Sequence, residues 1–482
     1  MVRLLNVYTT AAFVALGGGL FGFEIASMSG IIGTEQYRNY FGNPLGTLQG
    51  IITGAMAAGS LFGALFSSFL GDRLSRKIAI QVGAALWCIG TIIQSTSNDV
   101  AILIAGRAIA GLCIGLTSAL IPIYQSEIAP HKIRGRIVVF QTFAITWGIM
   151  IQYFIEYGCS FLNSTASFRV PWAIQSIPAM LLFIGLFWFP CTPREDQIRL
   201  EREKQSNSYR ELFSRKIRKR IFLSIAVQMW AQLSGMNVMM YYIIYILQSA
   251  GIANWRLLSS IQYVINMIMT IPAMLWIDKW GRRPALLLGA PILGFILFGI
   301  GGLLKQYGQP NAITDQPYTL DSRRPPCRDP CYLYLAVATF AVSWGPVALM
   351  YPPEVVPLRI RAKSVALATR SQWASNFALA FALPPLLRSI RWRVYFIFGS
   401  FNFLAFIHVL FAAPETKCRT LEETDEIFEH GEPLWKSFLD RRESNKLEVL
   451  ARDIEMGVLI IERAGPCQGS QLCSHGQRPG WS

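Results

Sequence analysis

VAILIAGRAIAGLCIGLTSALIP, residues 100–122, is apolar from end to end apart from one cation, Arg107. A bilayer core of roughly 30 Å is crossed by ~20 apolar residues in a helix, so this stretch has the length and composition of a membrane span. Runs like it recur along the chain, which is 52% hydrophobic and 15% charged, with a mean hydropathy of +0.37. Soluble domains do not repeat such runs. Backbone groups in hydrocarbon must hydrogen-bond within the chain, which leaves helices or closed barrels, and these continuous runs lack the alternation of barrel strands. We therefore expect an all-α integral membrane protein with twelve spans, near 8–30, 49–70, 79–97, 100–122, 137–157, 171–189, 221–247, 257–277, 285–304, 332–351, 364–387 and 394–413.

A formal charge of +15 would suit a nucleic-acid binder if it lay on one soluble face. It lies instead in short links between the spans. Alternate links carry Arg73, Arg76 and Lys77; Lys132, Arg134 and Arg136; the basic stretch 194–220; Lys279, Arg282 and Arg283; and Arg359, Arg361 and Lys363. The excess of Lys and Arg in cytoplasmic loops of membrane proteins assigns these links, and both termini, to the cytoplasm. The opposite links are poorer in cations, although Arg323, Arg324, Arg328, Arg388, Arg391 and Arg393 reduce the contrast. Asn163-Ser164-Thr165, a glycosylation sequon, is external in this orientation. The nine cysteines are scattered, mostly inside apolar runs, without metal-ligand spacing, and no metal is expected. Cys327 and Cys331 share an external link and can pair. The first apolar segment holds an acid and lacks a cleavage site, so it reads as a span and not as a signal peptide.

The spans divide into an N-terminal half, 1–189, and a C-terminal half, 221–413, joined by a cytoplasmic linker, 190–220, and followed by a tail, 414–482. Loop chemistry repeats between the halves: Gly71-Asp72-Arg73-Leu74-Ser75-Arg76-Lys77 follows the second span and Asp278-Lys279-Trp280-Gly281-Arg282-Arg283 the eighth. Parallel repeats of this kind place a substrate site between them near the midplane. In the tail, 421–463 can form surface helices, and 464–482, rich in Gly, Ser, Cys and Gln, is low in complexity.

Glu24 stands in the first span. At that depth a carboxylate costs several kcal/mol unless it is paired, protonated or facing water, so it reads either as a proton carrier or as half of a structural ion pair with Arg107, and one pair can serve both. Gly106, Gly111 and Gly115 allow close helix approach. The link cations Arg73, Arg76, Arg134, Arg282, Arg283 and Arg361 have acidic companions in Asp72, Glu127, Asp278 and Glu354. Topology explains the cations alone; a charge network at the helix ends, formed in one conformation and broken in the other, explains both signs. The seventh span carries Gln228, Gln232, Ser234, Asn237, Tyr241 and Tyr242, with positions 228, 232 and 235 on one face, and the eighth carries Asn266. A single amide reads as helix-to-helix bonding. Several amides converging with an aromatic side chain suit a neutral polyhydroxylated ligand.

GGGLFGFE (17–24), GDRLSRK (71–77), PIYQSEIAP (122–130) followed by Arg134-Gly135, VPW (170–172), QLSGMNVMMYY (232–242), DKWGRR (278–283), WGP (344–346), PPEVVPLRIRAK (352–363) and PETKCRTLEE (414–423) form an ordered series. In this series the chain resembles the sugar porter family of the major facilitator superfamily, most closely its fungal hexose transporters, over roughly residues 8–430. The resemblance implies a monomeric alternating-access carrier of a monosaccharide in the plasma membrane, without ATP or a cofactor. It implies sugar contacts at Gln232, Asn237, Tyr242, Asn266, Gln372, Trp373 and Thr142, with Gly345 and Pro346 at a flexible break of the tenth span. It also implies proton coupling through Glu24 and Arg107, with Glu where the family usually has Asp.

Several residues depart from the family pattern. Thr142 stands where a sugar-binding Gln is usual, with Gln141 turned about 100° away around the helix. Ala231 replaces a second Gln, Leu349 the tenth-span Trp, and Ser75, Cys191 and Cys418 other motif residues, while Arg370 lies inside the eleventh span. Uniport, carriage of quinate or a disaccharide, and a non-transporting sensor signalling through its tail are the alternatives. No nucleophile constellation or phosphate loop points to an enzyme, and His131 and the other histidines lack ligand or triad spacing.

Overall fold

A computed structural model describes residues 7–44, 47–73, 75–129, 133–188, 215–237, 239–241, 255–309, 319–320, 328–357 and 360–417. In the first half, α1 (Val7–Val14) and α2 (Leu16–Ser29) form the first span, with a turn at Ala15, and the short α3 (Glu35–Tyr40) follows it. The next four spans are α4 (Thr47–Arg73), α5 (Arg76–Ser95), α6 (Val100–Ile128) and α7 (Arg134–Cys159), and α8 (Ala166–Ile174) with α9 (Ser176–Gly185) makes the sixth. The second half contains α10 (Arg215–Leu233), α11 (Trp255–Trp280), α12 (Arg282–Tyr307), α13 (Arg328–Val342), α14 (Trp344–Val355), α15 (Arg361–Ser389) and α16 (Arg393–Ala412). After α12 a short antiparallel ladder pairs β1 (Gly308–Gln309) with β2 (Thr319–Leu320).

Ten helices among the described residues are long and apolar enough to cross a membrane. The other two expected spans are also largely helical over their described residues. The eleventh is α15, whose Arg361, Lys363, Arg370 and Arg388 dilute its hydropathy. The seventh begins as α10 and is interrupted at Ser234 and Gly235, where Gly235 takes φ +86°. The shared face expected for positions 228, 232 and 235 therefore ends at Gln232, because a left-handed residue turns the helix. The fourth span runs to Ile128, beyond its expected limit at Pro122, since the proline sits inside α6 and neighbouring helices can satisfy the backbone group it frees. Residues 189–214, Cys327 and the tail beyond Lys417 lie outside the described residues.

Small residues set the closest crossings. A Cβ on Gly111 would strike the carbonyl of Met56, one on Gly115 that of Ser60, and Gly59 and Gly63 meet the backbone of Ala108 and Leu112. This seam fixes α4 against α6, as expected where van der Waals packing drives association in lipid. The halves meet along two repeat-related seams, α4 against α15 and α7 against α11. Phe62, Phe66, Phe187, Phe295 and Phe411 point outward, each more than half exposed, as an apolar belt suited to hydrocarbon.

The repeated loops share an unusual positive φ. Gly281 has φ +95° and Ser75, at the equivalent place, φ +87°. The left-handed region costs a non-glycine residue roughly 1 kcal/mol or more, which is why glycine suits this position, and Ser75 recovers part of it by accepting the Ile78 N–H at 3.4 Å as the cap of α5. Replacing a serine cap by glycine costs only a few tenths of a kcal/mol. Ser75→Gly is therefore expected to raise the thermal midpoint of the detergent-solubilised protein, and Gly281→Ala to lower it. A lowered midpoint for Ser75→Gly would mean that the cap outweighs the strain.

Candidate functional site

Between the halves lies a cavity of about 680 Å³, counted with the open solvent at its mouth. From the first half, α2 contributes Phe21 and Ile25, and α7 contributes Thr142, Ile145, Thr146 and Ile149. From the second, α10 places Gln228, Ala231 and Gln232 on the wall; the turn at Gly235 then brings Met236, Asn237 and Met240 back to it. α11 adds Asn266 and Thr270, and Gln372 comes from α15. Phe340, Gly345 and Leu349 complete the wall. The break in the tenth span falls at Ser343, two residues before Gly345.

Every described residue of this lining is uncharged. Gln232 Oε1 accepts hydrogen bonds from Asn376 Nδ2, at 3.1 Å, and from Asn237 Nδ2, which leaves the Gln232 amide hydrogens available as donors. Gln228 Oε1, Gln372 Oε1 and Thr142 Oγ1 are buried without a hydrogen-bond partner among the described residues. Buried polar atoms are seldom left so. The wall thus offers donors and acceptors together, and a hydroxyl group answers both.

Thr142 faces the cavity, whereas Gln141 packs against Gly18 of the first span, as the 100° rotation requires. Trp373 stands one layer back: fully buried, it packs edge-on against Phe21 with centroids 5.0 Å apart and donates from Nε1 to Ser118 Oγ at 3.1 Å. It braces the lining residue Phe21 and joins the halves. Tyr242 lies outside the described residues. Asn376, which holds Gln232, was not singled out from the sequence; its place one turn after Gln372 on the same helix face is the signal that could have found it.

Away from the cavity, Glu24 and Arg107 are both fully buried, with Oε1 and Nη1 3.1 Å apart, and Arg107 Nη1 donates to Ser27 Oγ at 3.3 Å. The pairing considered from the sequence is therefore present. Arg370 donates to the Leu65 carbonyl at 2.8 Å across the α4 and α15 seam.

At the end of the bundle where the repeated loops lie, the charges fall into matching sets. Arg76, at the start of α5, pairs with Glu127 near the end of α6. Arg282, at the start of α12, binds Glu354 at the end of α14 through two bonds of 3.1 and 2.9 Å. Both pairs lie within a half. Asp278 pairs with Arg282 at 3.1 Å and accepts the Arg136 N–H at 3.0 Å, and this last bond crosses between halves. Arg361 is buried and donates to the Val356 carbonyl at 3.5 Å, while Arg73 is exposed, stacked over Phe69. The side chains of Asp72 and Arg134 are not among the described ones. Glu415 accepts the backbone N–H groups of Arg282 and Arg283, and Arg283 donates to the Leu410 carbonyl. Glu415 thus sits as an anion at the N-terminus of α12, where the helix dipole favours it; the sequence offered it only as part of a motif.

A family model described as sugar (and other) transporter matches residues 10–194 and 195–428. The chain is 44% identical to the MFS glucose transporter mfs1 of Aspergillus flavus, over 97% of this chain and 98% of that protein. It is 38% identical to the high-affinity glucose transporter of Kluyveromyces lactis, over 92% of this chain and 90% of that one. Among solved structures it is similar to the proton:xylose symporter XylE bound to 6-bromo-6-deoxy-D-glucose, with a TM-score of 0.75 and 25% identity, covering 88% of this chain and 99% of that chain.

Removing one partner of a buried ion pair strands the other charge, at a cost of about 3 kcal/mol or more. Arg282→Met is expected to lower the thermal midpoint sharply, and Arg282→Met with Glu354→Gln to recover much of the loss. No recovery in the double variant would show that the pair is not the stabilising contact.

Proposed function

This chain belongs to the sugar (and other) transporter family, and on that premise we propose that it carries a monosaccharide, a hexose such as glucose, across the plasma membrane by alternating access with a proton as co-substrate. It is a transporter and not an enzyme. The observation that supports the substrate class is the uncharged cavity whose unsatisfied acceptors and free amide hydrogens match hydroxyl groups. A neutral sugar enters such a site without burying an unpaired charge, and each hydroxyl bonded there contributes on the order of 1 kcal/mol.

In this reading Gln232, Asn237, Asn266, Gln372 and Thr142 bind sugar hydroxyls, Tyr242 joins them, and Gly345 leaves room beside the ring. Phe21, held by Trp373, offers an apolar surface to the C–H face of the sugar. Ala231 and Leu349 make part of the wall apolar, so the sugar is held by fewer hydrogen bonds than the family pattern would supply. Glu24 takes a proton on one side and gives it up on the other, and Arg107 stabilises its carboxylate in between. The halves rock about the seams of α4 with α15 and α7 with α11. The Arg136 to Asp278 bond, backed by the Arg76–Glu127 and Arg282–Glu354 pairs, closes the end we assign to the cytoplasm. Both termini are cytoplasmic, and Asn163, in an exposed turn, is the external glycosylation site.

Uptake of radiolabelled hexoses and pentoses by a host without its own carriers tests this reading. Wild type is expected to accumulate glucose and to lose accumulation with an uncoupler. Glu24→Gln should abolish accumulation while exchange of labelled for unlabelled sugar continues, and Gln232→Ala should raise KM by about tenfold or more. Accumulation insensitive to the uncoupler, or preserved in Glu24→Gln, would rule out the coupling role. Equilibrating uptake alone would make the protein a uniporter.

A further inference from the structure

A second carboxylate is buried in the first half. Glu156 lies on α7, one turn before its end at Cys159, and is 3% exposed. Its Oε1 accepts from Gln152 Nε2 at 3.0 Å, and its carboxyl rests against Gly30, where a Cβ would collide with it. Gly30 is six residues beyond Glu24, so Glu156 stands roughly 9 Å further along the first span at 1.5 Å per residue, toward the end we assign to the outside.

The groups facing Glu156 come from each element around it. From the first span and α6 these are Glu24 and Arg107, both within electrostatic reach. From its own helix they are Gln152, Tyr153 and Cys159, and from α11 Tyr263. Tyr157 and, on α11, Arg256 lie beside Tyr153. Two buried carboxylates therefore lie in the field of one guanidinium, which is in contact with Glu24. Were both ionised, an uncompensated negative charge would sit inside the bundle, at a cost of several kcal/mol; one proton held by the pair removes that cost. Arg107 is bound to Glu24 through Nη1, while its Nε and Nη2 have no hydrogen-bond partner among the described residues, so the guanidinium has donors left for a second carboxylate.

Glu156 also adjoins the contacts that join the halves at this end. Ser29 Oγ and Tyr263 OH are 2.8 Å apart, Tyr153 OH donates to the Arg256 carbonyl at 2.9 Å, and the two tyrosine rings lie 4.7 Å apart.

We propose that Glu156 is a second proton-binding site, which receives the proton from the outer side and passes it inward to Glu24. The transfer balances with water as the carrier: an O–H bond breaks at the Glu156 carboxyl, water between the two sites hands a proton on at hydrogen-bond distance, and an O–H bond forms at the Glu24 carboxylate, Glu156 becoming the anion. Arg107 exchanges its anionic partner as the proton moves. The inference rests on the proton-symport reading and adds to it where the proton first binds.

The full chain in proteoliposomes, with radiolabelled glucose and an imposed proton gradient, tests it. Glu156→Gln is expected to cut gradient-driven accumulation by about tenfold or more and to flatten the dependence of uptake on external pH, while glucose exchange at equal pH continues. Accumulation and a pH profile like those of wild type would overturn the proposal and leave symport through Glu24 standing. If Glu156→Gln loses exchange as well, Glu156→Asp decides: a displaced pH profile supports the relay and an unchanged one overturns it. A wild-type protein that builds no glucose gradient from a proton gradient would overturn the symport reading itself, and the relay with it.

Discussion

Inside a bilayer no water is available to a stranded polar group, so each must find its partner within the chain. The backbone meets this demand by becoming helical over nearly every described stretch. Arg370 meets it by reaching the Leu65 carbonyl across the seam between halves. Glu24 meets it with Arg107, and Gln232 by accepting from both Asn237 and Asn376. Among the groups that do not meet it within the described residues are Gln228, Gln372 and Thr142, whose acceptors face the cavity, and Nε and Nη2 of Arg107.

The two halves solve the same problem at their basic end with the same parts. Arg76 and Arg282 begin equivalent helices and pair with Glu127 and Glu354 at the ends of equivalent helices. Ser75 and Gly281 both take a positive φ just ahead of those arginines. The second half adds Asp278, which ties its turn to the Arg136 N–H of the first half, and Glu415, which caps α12. A symmetric arrangement within each half, joined by few bonds between them, is what a structure needs if the halves are to separate at this end without coming apart themselves.

The cavity depends on interruptions. Gly235 bends the seventh span so that Asn237 and Met240 rejoin the wall, and the break at Ser343 precedes Gly345. Straight helices would have turned these residues elsewhere. The orientation of Trp373 toward Phe21 and Ser118 makes it a link between the halves directly behind the cavity wall.

The sequence alone determined that the chain is a bundle of membrane helices in two similar halves, because long apolar runs, the placing of cations in alternate links and a repeated loop are properties of the chain order itself. Helix periodicity, being local, also set Gln141 about 100° from Thr142 around the helix axis, while it took the folded bundle to place Thr142 on the cavity wall. Tertiary structure decided what lies across from each residue. Glu156 reads in sequence as one acid near the end of an apolar run, and only packing against Gly30 of the first span brings it within electrostatic reach of Glu24 and Arg107. Asn376 became a site residue through Gln232, 144 positions away in the chain. Partnership between distant helices is fixed by packing, and periodicity within one helix carries no record of it.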